Sequence, residues 1–340
     1  MFRKLVVDTI VKESTTIKSF YLKPSNGRVL KPYLPGQFVP VRIPLDTESI
    51  IRNYTISDWP GNDHYRITVK RENRGKASRY LHDNVKEGHE LEVGKPMGNF
   101  TLSMETEIPV ILLSGGVGIT PMLSMLEFIA KNQPKRTVYF IHSSTNSSVQ
   151  PMIGRLRELE KQHSNIHLFI HHSRPHGKEV PQIDFDNTGL IEMKFLESVL
   201  KGVTGEYYLC GPIGFMETMY GYLQQMDVDW RMIHYEFFGE GKLLEGNPIF
   251  TDSKSESYTI NFKESGKSIV WNEKASNILE VAEANGIFPN FSCRTGSCGT
   301  CEAKILSGNV EYDFEPFIPV MKGKALTCCA KPSSDLTIEL

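Results

Sequence analysis

Near the carboxyl end the chain reads Cys293-Arg294-Thr295-Gly296-Ser297-Cys298-Gly299-Thr300-Cys301, and Cys328-Cys329 follow at a distance. This is Cys-x4-Cys-x2-Cys with a remote fourth cysteine, the ligand spacing of a plant-type 2Fe–2S cluster. Four thiolates have to converge on two irons, so the loop must wrap tightly. Gly296 and Gly299 permit backbone conformations that other residues resist. Ser297 and Thr300 keep the loop polar, and backbone N–H groups there can bond the sulfurs. A structural zinc site usually shows two Cys-x2-Cys knuckles, and here there is one. A disulfide framework belongs to short secreted chains, not to 340 residues with 6 Cys. Such a cluster passes one electron at a time, so the rest of the chain has to load it.

At 340 residues the chain should hold two or three domains. It has 40% hydrophobic and 23% charged residues, ordinary globular usage. The formal charge of −2 gives no sign of nucleic-acid binding. Asp8, Lys12 and Glu13 arrive too early for a secretory signal. The most apolar stretch, Ile108 to Ala130, is interrupted by Gly115, Gly116, Gly118 and Pro121, so it reads as strand, loop and helix and not as a transmembrane segment. Thiolate chemistry fits a reducing, cytoplasmic compartment, and a monomer is expected.

Three segments follow, and together they predict a multi-domain α/β plus β protein. Residues 1–105 carry short runs rich in β-branched and aromatic residues between Gly, Pro and Asn, the pattern of a small antiparallel β-barrel. The strands expected are Phe2–Ile10, Thr16–Leu22, Gln37–Ile43, Arg52–Ser57 and Tyr65–Lys70, with one short helix over Ser78–Asn84. Residues 106–240 alternate strand and helix, which argues for a parallel α/β nucleotide-binding sheet. Residues 241–255 read as a linker. Residues 256–340 predict a hairpin, a helix over Asn277–Asn285 capped by Ser276 and closed by Gly286, and then the cysteine loop. That order is a β-grasp arrangement.

Chemistry-bearing motifs lie in each segment. Arg52-Asn53-Tyr54-Thr55-Ile56-Ser57 offers a guanidinium fork for phosphate, a flat ring for an isoalloxazine, and a hydroxyl near flavin N5. Gly75-Lys76-Ala77-Ser78 opens a predicted helix and makes an anion site. Gly115-Gly116-Val117-Gly118-Ile119-Thr120-Pro121 joins a buried strand to a helix, where glycines let a pyrophosphate approach the backbone. It departs from Gly-x-Gly-x-x-Gly because Pro121 takes the last position. The next strand ends Ile141-His142-Ser143-Ser144-Thr145, without the acid that usually selects NAD over NADP. Cys210-Gly211-Pro212 closes another strand at the same sheet edge, where a small side chain leaves room for a nicotinamide.

These motifs occur in the order found in the ferredoxin–NADP reductase superfamily, and with the cysteine tail the chain resembles its iron–sulfur flavoprotein reductases. Val69-Lys70-Arg71-Glu72 and His234-Tyr235-Glu236-Phe237-Phe238-Gly239 also resemble the reductase part of flavohaemoglobins. The resemblance implies that Arg52, Tyr54, Thr55, Ser57, Lys70, Gly75 and Ser78 hold the flavin. It implies that Gly115, Gly116, Gly118, Thr120, Pro121, Cys210, Gly211 and Pro212 hold the nicotinamide cofactor. Thr55, Cys210, Glu236 and Phe238 would then lie at the reacting centre. Leu326-Thr327-Cys328-Cys329-Ala330-Lys331-Pro332 is similar to the ending of plant-type ferredoxins, which selects Cys328 over Cys329 as the fourth ligand beside Cys293, Cys298 and Cys301. FAD is implied over FMN, and NADH over NADPH.

Electron counting supplies the expected function. NAD(P)H gives two electrons as a hydride, the cluster accepts one, and a flavin holds two and releases them singly. The chain is expected to pass electrons from NAD(P)H through flavin and cluster to a redox partner protein: an oxygenase, a hydroxylase or desaturase, or a hybrid-cluster protein. The rival reading is a non-catalytic electron-transfer subunit that does not itself oxidise NAD(P)H.

Overall fold

The computed structural model describes residues 2–25, 29–45, 49–98, 100–236, 238, 258–271, 275–287, 289, 299, 301–312, 316 and 319–340. The expected linker 241–255 lies outside them. The chain divides into two compact units, Met1–Ile50 with Tyr54–Glu245, and Gly246–Leu340 with Ile51–Asn53.

The first unit opens with strands β1 (Arg3–Lys12), β2 (Ile17–Pro24), β3 (Phe38–Pro44), β4 (Ser49–Thr55) and β5 (Tyr65–Lys70), then helix α1 (Lys76–Asp83) and strand β6 (Glu90–Val93). Alternation sends one face of each strand inward. Leu5 and Val7, Phe20 and Leu22, and Val39, Val41 and Ile43 line one apolar core. The strand order is β4-β3-β6-β1-β2-β5, with antiparallel pairing between β1 and β2, β1 and β6, β2 and β5, and β3 and β6. The sheet closes on itself. Ile56, one residue past β4, bridges Ile67 of β5, and Ser57 N–H donates to the Arg66 carbonyl at 2.8 Å. Closure removes the open edges, as expected for a barrel. Strand β6 was not expected from sequence: Glu-Leu-Glu-Val is four residues long, and half of it is charged.

The same unit continues through β7 (Val110–Gly115), α2 (Ile119–Asn132), β8 (Val138–Ser144), α3 (Ile153–Gln162), β9 (Ile166–His172), β10 (Asn187–Thr188), α4 (Met193–Leu200), β11 (Glu206–Cys210), α5 (Ile213–Gln225) and β12 (Ile233–Glu236). These strands form a parallel sheet of order β10-β9-β8-β7-β11-β12. The central strand β7 is buried along its whole length because helices cover both faces. Val110 and Leu112 pack with Leu123 and Leu126 of α2. Ile111 and Leu113 pack with Met216, Met219 and Leu223 of α5.

In the second unit the described elements are β13 (Thr259–Phe262), β14 (Lys267–Val270), α6 (Ile278–Ala284), β15 (Glu302–Ser307), β16 (Val310–Tyr312), β17 (Lys324–Leu326), β18 (Ala330–Pro332) and β19 (Leu336–Ile338). The main sheet runs β14-β13-β19-β15-β17, with β13 and β19 parallel at its centre and α6 packed on it through Ile278, Val281 and Ala282. This is the expected β-grasp. One detail differs. Asn277, not Ser276, caps α6: its Oδ1 accepts from the Glu280 N–H at 3.0 Å, while the Ser276 N–H donates to the Glu280 carboxylate at 2.8 Å. Among the described residues no helix is long and apolar enough to cross a membrane.

Candidate cofactor sites

Strand β4 carries the flavin motif. Pairing with β3 makes it extended, so Asn53 and Thr55 point to one side and Arg52 and Tyr54 to the other. Arg52 is exposed, and its Nη1 donates to the Ile51 carbonyl at 2.8 Å. Tyr54 is half-buried against the barrel core. Thr55 is buried, and among the described residues neither its Oγ1 nor Asn53 Oδ1 has a hydrogen-bond partner. Buried polar atoms without partners are rare in folded proteins, and a ring with amide-like edges would satisfy both. Ser57 is different. Its Oγ sits inside the barrel wall, sharing a hydrogen bond with Thr68 at 2.8 Å and donating to the Arg66 carbonyl at 3.0 Å.

Helix α1 begins at the expected anion site. Ser78 Oγ accepts from the Glu72 N–H at 3.1 Å, which leaves its own O–H to donate. An alanine Cβ at Gly75 would come 2.4 Å from Ser78 Oγ, so the turn is built around a glycine. Lys70 ends β5 and pairs with Glu72 at 2.8 Å on the surface.

The nucleotide motifs meet at the carboxyl edge of the parallel sheet. Gly116 to Gly118 form a 3-10 turn between β7 and α2, closed by Thr120 Oγ1 donating to the Val117 carbonyl at 3.1 Å. Pro121 lies in the first turn of α2, where its missing N–H costs no helical bond. A Cβ on Gly118 would lie 2.2 Å from the Cys210 carbonyl oxygen and 2.7 Å from the Gly211 nitrogen. A Cβ on Gly211 would lie 3.0 Å from the Gly115 nitrogen. The two motifs are therefore locked backbone against backbone. Gly116, with φ +54, has nothing among the described residues within 4 Å of its Cβ position, so that side of the turn is open to an approaching pyrophosphate. Pro212 caps α5 beside them.

Cys210 is wholly buried, and burial pushes its thiol up. It pairs across the parallel register with Glu236 on one side and Ser114 on the other. Burial also pushes the Glu236 carboxyl up, to about 8, and its Oε2 has no partner among the described residues. Phe238 is exposed two residues later. Cys301 and Cys328 are buried with their sulfurs 3.2 Å apart, whereas Cys329 Sγ approaches the Leu326 carbonyl at 3.5 Å. Two converging buried thiols fit a metal cluster. Cys293 and Cys298 lie outside the described residues.

Sequence reasoning missed one acid. Strand β8 ends without one, but Glu179 reaches back from the loop after β9. Its Oε1 accepts from both the N–H and Oγ of Ser147 at 2.8 Å, and its Oε2 lies 2.7 Å from His172 Nδ1. Burial alone would raise this carboxyl, but the Ser147 and His172 hydrogen bonds outweigh it and bring it to about 2. Nothing local marks it, because the contact spans 32 residues.

A closed barrel bearing Arg-x-Tyr-Thr, joined to a parallel sheet with a glycine turn locked on Cys-Gly-Pro, defines an oxidoreductase that uses a flavin and a pyridine nucleotide. Family descriptions agree along the chain. The oxidoreductase FAD-binding domain matches residues 3–102, the oxidoreductase NAD-binding domain 112–220, and the 2Fe-2S iron-sulfur cluster binding domain 260–333. The chain carries these three family domains in the order FAD-binding, NAD-binding and 2Fe-2S, a ferredoxin–NADP reductase-like arrangement with a ferredoxin-type domain at its end. Its cofactors are FAD, NADH and a 2Fe–2S cluster.

A flavohemoprotein of Bacillus cereus is 41% identical over 251 residues, covering 72% of this chain and 62% of its own length. The chain thus spans less than two thirds of that relative. The FAD/NAD-binding domain of a Vibrio cholerae nitric oxide dioxygenase is 32% identical with a TM-score of 0.62, covering 70% of this chain and 99% of that domain. Phthalate dioxygenase reductase matches over 100% of this chain and 98% of its own, with a TM-score of 0.61 and 24% identity, a likeness of fold.

Proposed function

We propose that the chain is an NAD(P)H-dependent iron–sulfur flavoprotein reductase that delivers single electrons to a partner protein. One observation carries this reading over a non-catalytic relay: the backbone lock between Gly118 and Cys210–Gly211, with the open side at Gly116. A subunit that only passed electrons between proteins has no use for a cradle shaped to admit a pyrophosphate. Bound FAD would take two electrons from NADH as a hydride and release them singly to the cluster.

The chain's own groups bind and orient. With FAD bound, Thr55 Oγ1 and Asn53 Oδ1 would meet the flavin edge, Tyr54 would pack beside it, and Ser78 would donate to its phosphate. Burial raises the Glu236 carboxyl to about 8, which favours its protonated form at neutral pH. Cys210 stays a neutral thiol and offers a small surface. Cys293, Cys298, Cys301 and Cys328 bind the irons, and Phe238 covers the flavin. Residues 1–105, 106–240 and 256–340 form the three functional domains, with 241–255 as linker. The protein acts as a cytoplasmic monomer. Its partner is an oxygenase-type acceptor, supported by the fold shared with phthalate dioxygenase reductase, with a hydroxylase, desaturase or hybrid-cluster protein as the alternatives.

The purified protein should contain about one FAD and about two irons per chain and reduce ferricyanide with NADH. No turnover with NADH or NADPH would favour the relay subunit. FMN alone on acid extraction would overturn the flavin, and zinc in place of iron would overturn the cluster.

Glu179 supports NADH. The acid that selects NAD stands at the end of the strand after the glycine turn's strand, here β8, and repels a 2′-phosphate. Glu179→Gln keeps an acceptor for Ser147 and removes the charge. The ratio of kcat/KM for NADPH to that for NADH should rise about tenfold, the equivalent of ~1.4 kcal/mol. An unchanged ratio would place Glu179 in loop structure alone.

A further inference from the structure

Behind the flavin and nucleotide motifs lies a buried polar cluster that shares only Ser57 with them. Arg66 of β5 donates from Nε to Ser57 Oγ at 3.2 Å and from Nη2 to the Ser57 carbonyl. The same Nη2 lies 3.3 Å from Glu127 Oε2 on α2. Glu127 Oε1 accepts from Arg155 Nε of α3 at 2.9 Å. The Arg66 and Glu127 side chains are 9% and 3% exposed, so the pair is desolvated. One turn earlier on α2, Ser124 Oγ donates to the Asp58 carbonyl, which also accepts from Tyr33 OH at 2.9 Å. Asp58 Oδ2 is held by His64 Nε2 at 2.7 Å.

The placement is what matters. Ser57 and Asp58 lie two and three residues after Thr55. Ser124 and Glu127 sit on the helix that begins at Ile119, inside the nucleotide turn. Eight residues of helix separate Ile119 from Glu127, about 12 Å. The two residues from Thr55 to Ser57 span about 7 Å. Few soft torsions therefore lie between the cluster and either motif. An apolar contact would let α2 slide along the barrel, whereas a buried guanidinium fork fixes direction as well as distance.

We propose that Arg66 and Glu127 are positioning residues: their buried pairing holds the start of α2, and with it the turn Gly115–Thr120, at a fixed place against flavin strand β4. This rests on the reductase reading above. In that reading a C–H bond of NADH breaks with its electron pair and an N–H bond forms on the flavin, which oxidises one and reduces the other. A hydride crosses only between atoms already close and aligned. A misplacement of about 1 Å slows such a step about a hundredfold.

The test is the double variant Arg66→Met/Glu127→Leu, which removes both charges of the pair together, while Asp58 keeps His64 and Arg155 keeps Glu158. Replacing a buried ion pair by apolar residues often leaves a protein folded. With flavin content and NAD+ affinity near wild type, flavin reduction at saturating NADH should slow at least tenfold. The absorbance of the complex between reduced flavin and NAD+ should weaken alongside, because it reports ring overlap and not turnover. A wild-type rate with full absorbance would overturn the proposal. So would slowing that merely tracks lost flavin.

If the double variant does not fold, Glu127→Gln takes its place with the same readouts. Amide hydrogen exchange should then quicken together at residues 57–58 and 119–127, and exchange unchanged at either stretch would overturn the clamp. A wild-type protein that neither NADH nor NADPH reduces would overturn the reductase reading. The exchange measurement would still decide the clamp.

Discussion

Cys328→Ala is expected to abolish the iron–sulfur centre while NADH-driven ferricyanide reduction stays within about twofold. Iron should fall from about two per chain to near zero, since a missing thiolate leaves an iron under-coordinated. Cytochrome c reduction should fall at least tenfold, because that acceptor takes electrons from the cluster. The reason is geometric. Cys328 Sγ is 3.2 Å from Cys301 Sγ, and both are buried. Cys329 points elsewhere, towards the Leu326 carbonyl at 3.5 Å. Cys329→Ala removes a small packing group and should lower stability by about 1 kcal/mol with iron retained. Iron lost from the Cys329 variant and kept in the Cys328 variant would reverse the ligand assignment. Equal loss of both acceptor activities in Cys328→Ala would mean that the cysteine supports the fold and not the cluster alone.

Gly118→Ala should slow flavin reduction by NADH at least a hundredfold. The added methyl would stand 2.2 Å from the Cys210 carbonyl oxygen and 2.5 Å from its carbon. Neither atom can yield, because Leu209 and Cys210 are paired to Leu113 and Ser114 in the parallel ladder. The turn must therefore part from Cys210–Gly211, and overpacking of this kind costs about 1–3 kcal/mol. The flavin motif lies on barrel strands, so flavin content should survive. Gly116→Ala is the contrast. Its methyl meets nothing among the described residues within 4 Å, but φ is +54, where an L-residue costs about 1–2 kcal/mol. Its defect should appear mainly in KM for NADH, since the methyl occupies the open side. Stopped-flow reduction with parallel flavin analysis measures both variants. A Gly118 variant with wild-type kcat and KM would show that the lock has no part in nucleotide use.

The two substitutions mark how far the sequence could be read. Gly115 to Pro121 stands out locally, between an apolar strand and an apolar helix. What Gly118 touches does not, because Cys210 arrives 92 residues later through the ordering of the sheet. Strand β5 was legible to the residue, as Tyr65–Lys70, because its alternation is strict and Gly and Asn punctuate its start. Strand β6 was not, because Glu90–Val93 is a strand only by virtue of its neighbours β1 and β3. Likewise Asn277 took the cap from Ser276, a choice between adjacent capping residues that backbone geometry makes.

The sequence by itself determined the chemistry of this protein. Thiol spacing, glycine turns and the order of motifs depend on short-range requirements of the ligands, and those are written in consecutive residues. Tertiary structure alone decided how the sites are built around those motifs. It brought Glu179 to Ser147 and Arg66 to Glu127, 61 residues apart, and it turned Cys328 rather than Cys329 towards Cys301. Among the described residues it also left Thr55, Asn53 and Glu236 with buried oxygens lacking partners. Contacts of this kind arise from sheet order and helix packing, and their residues carry no pattern until the chain has folded.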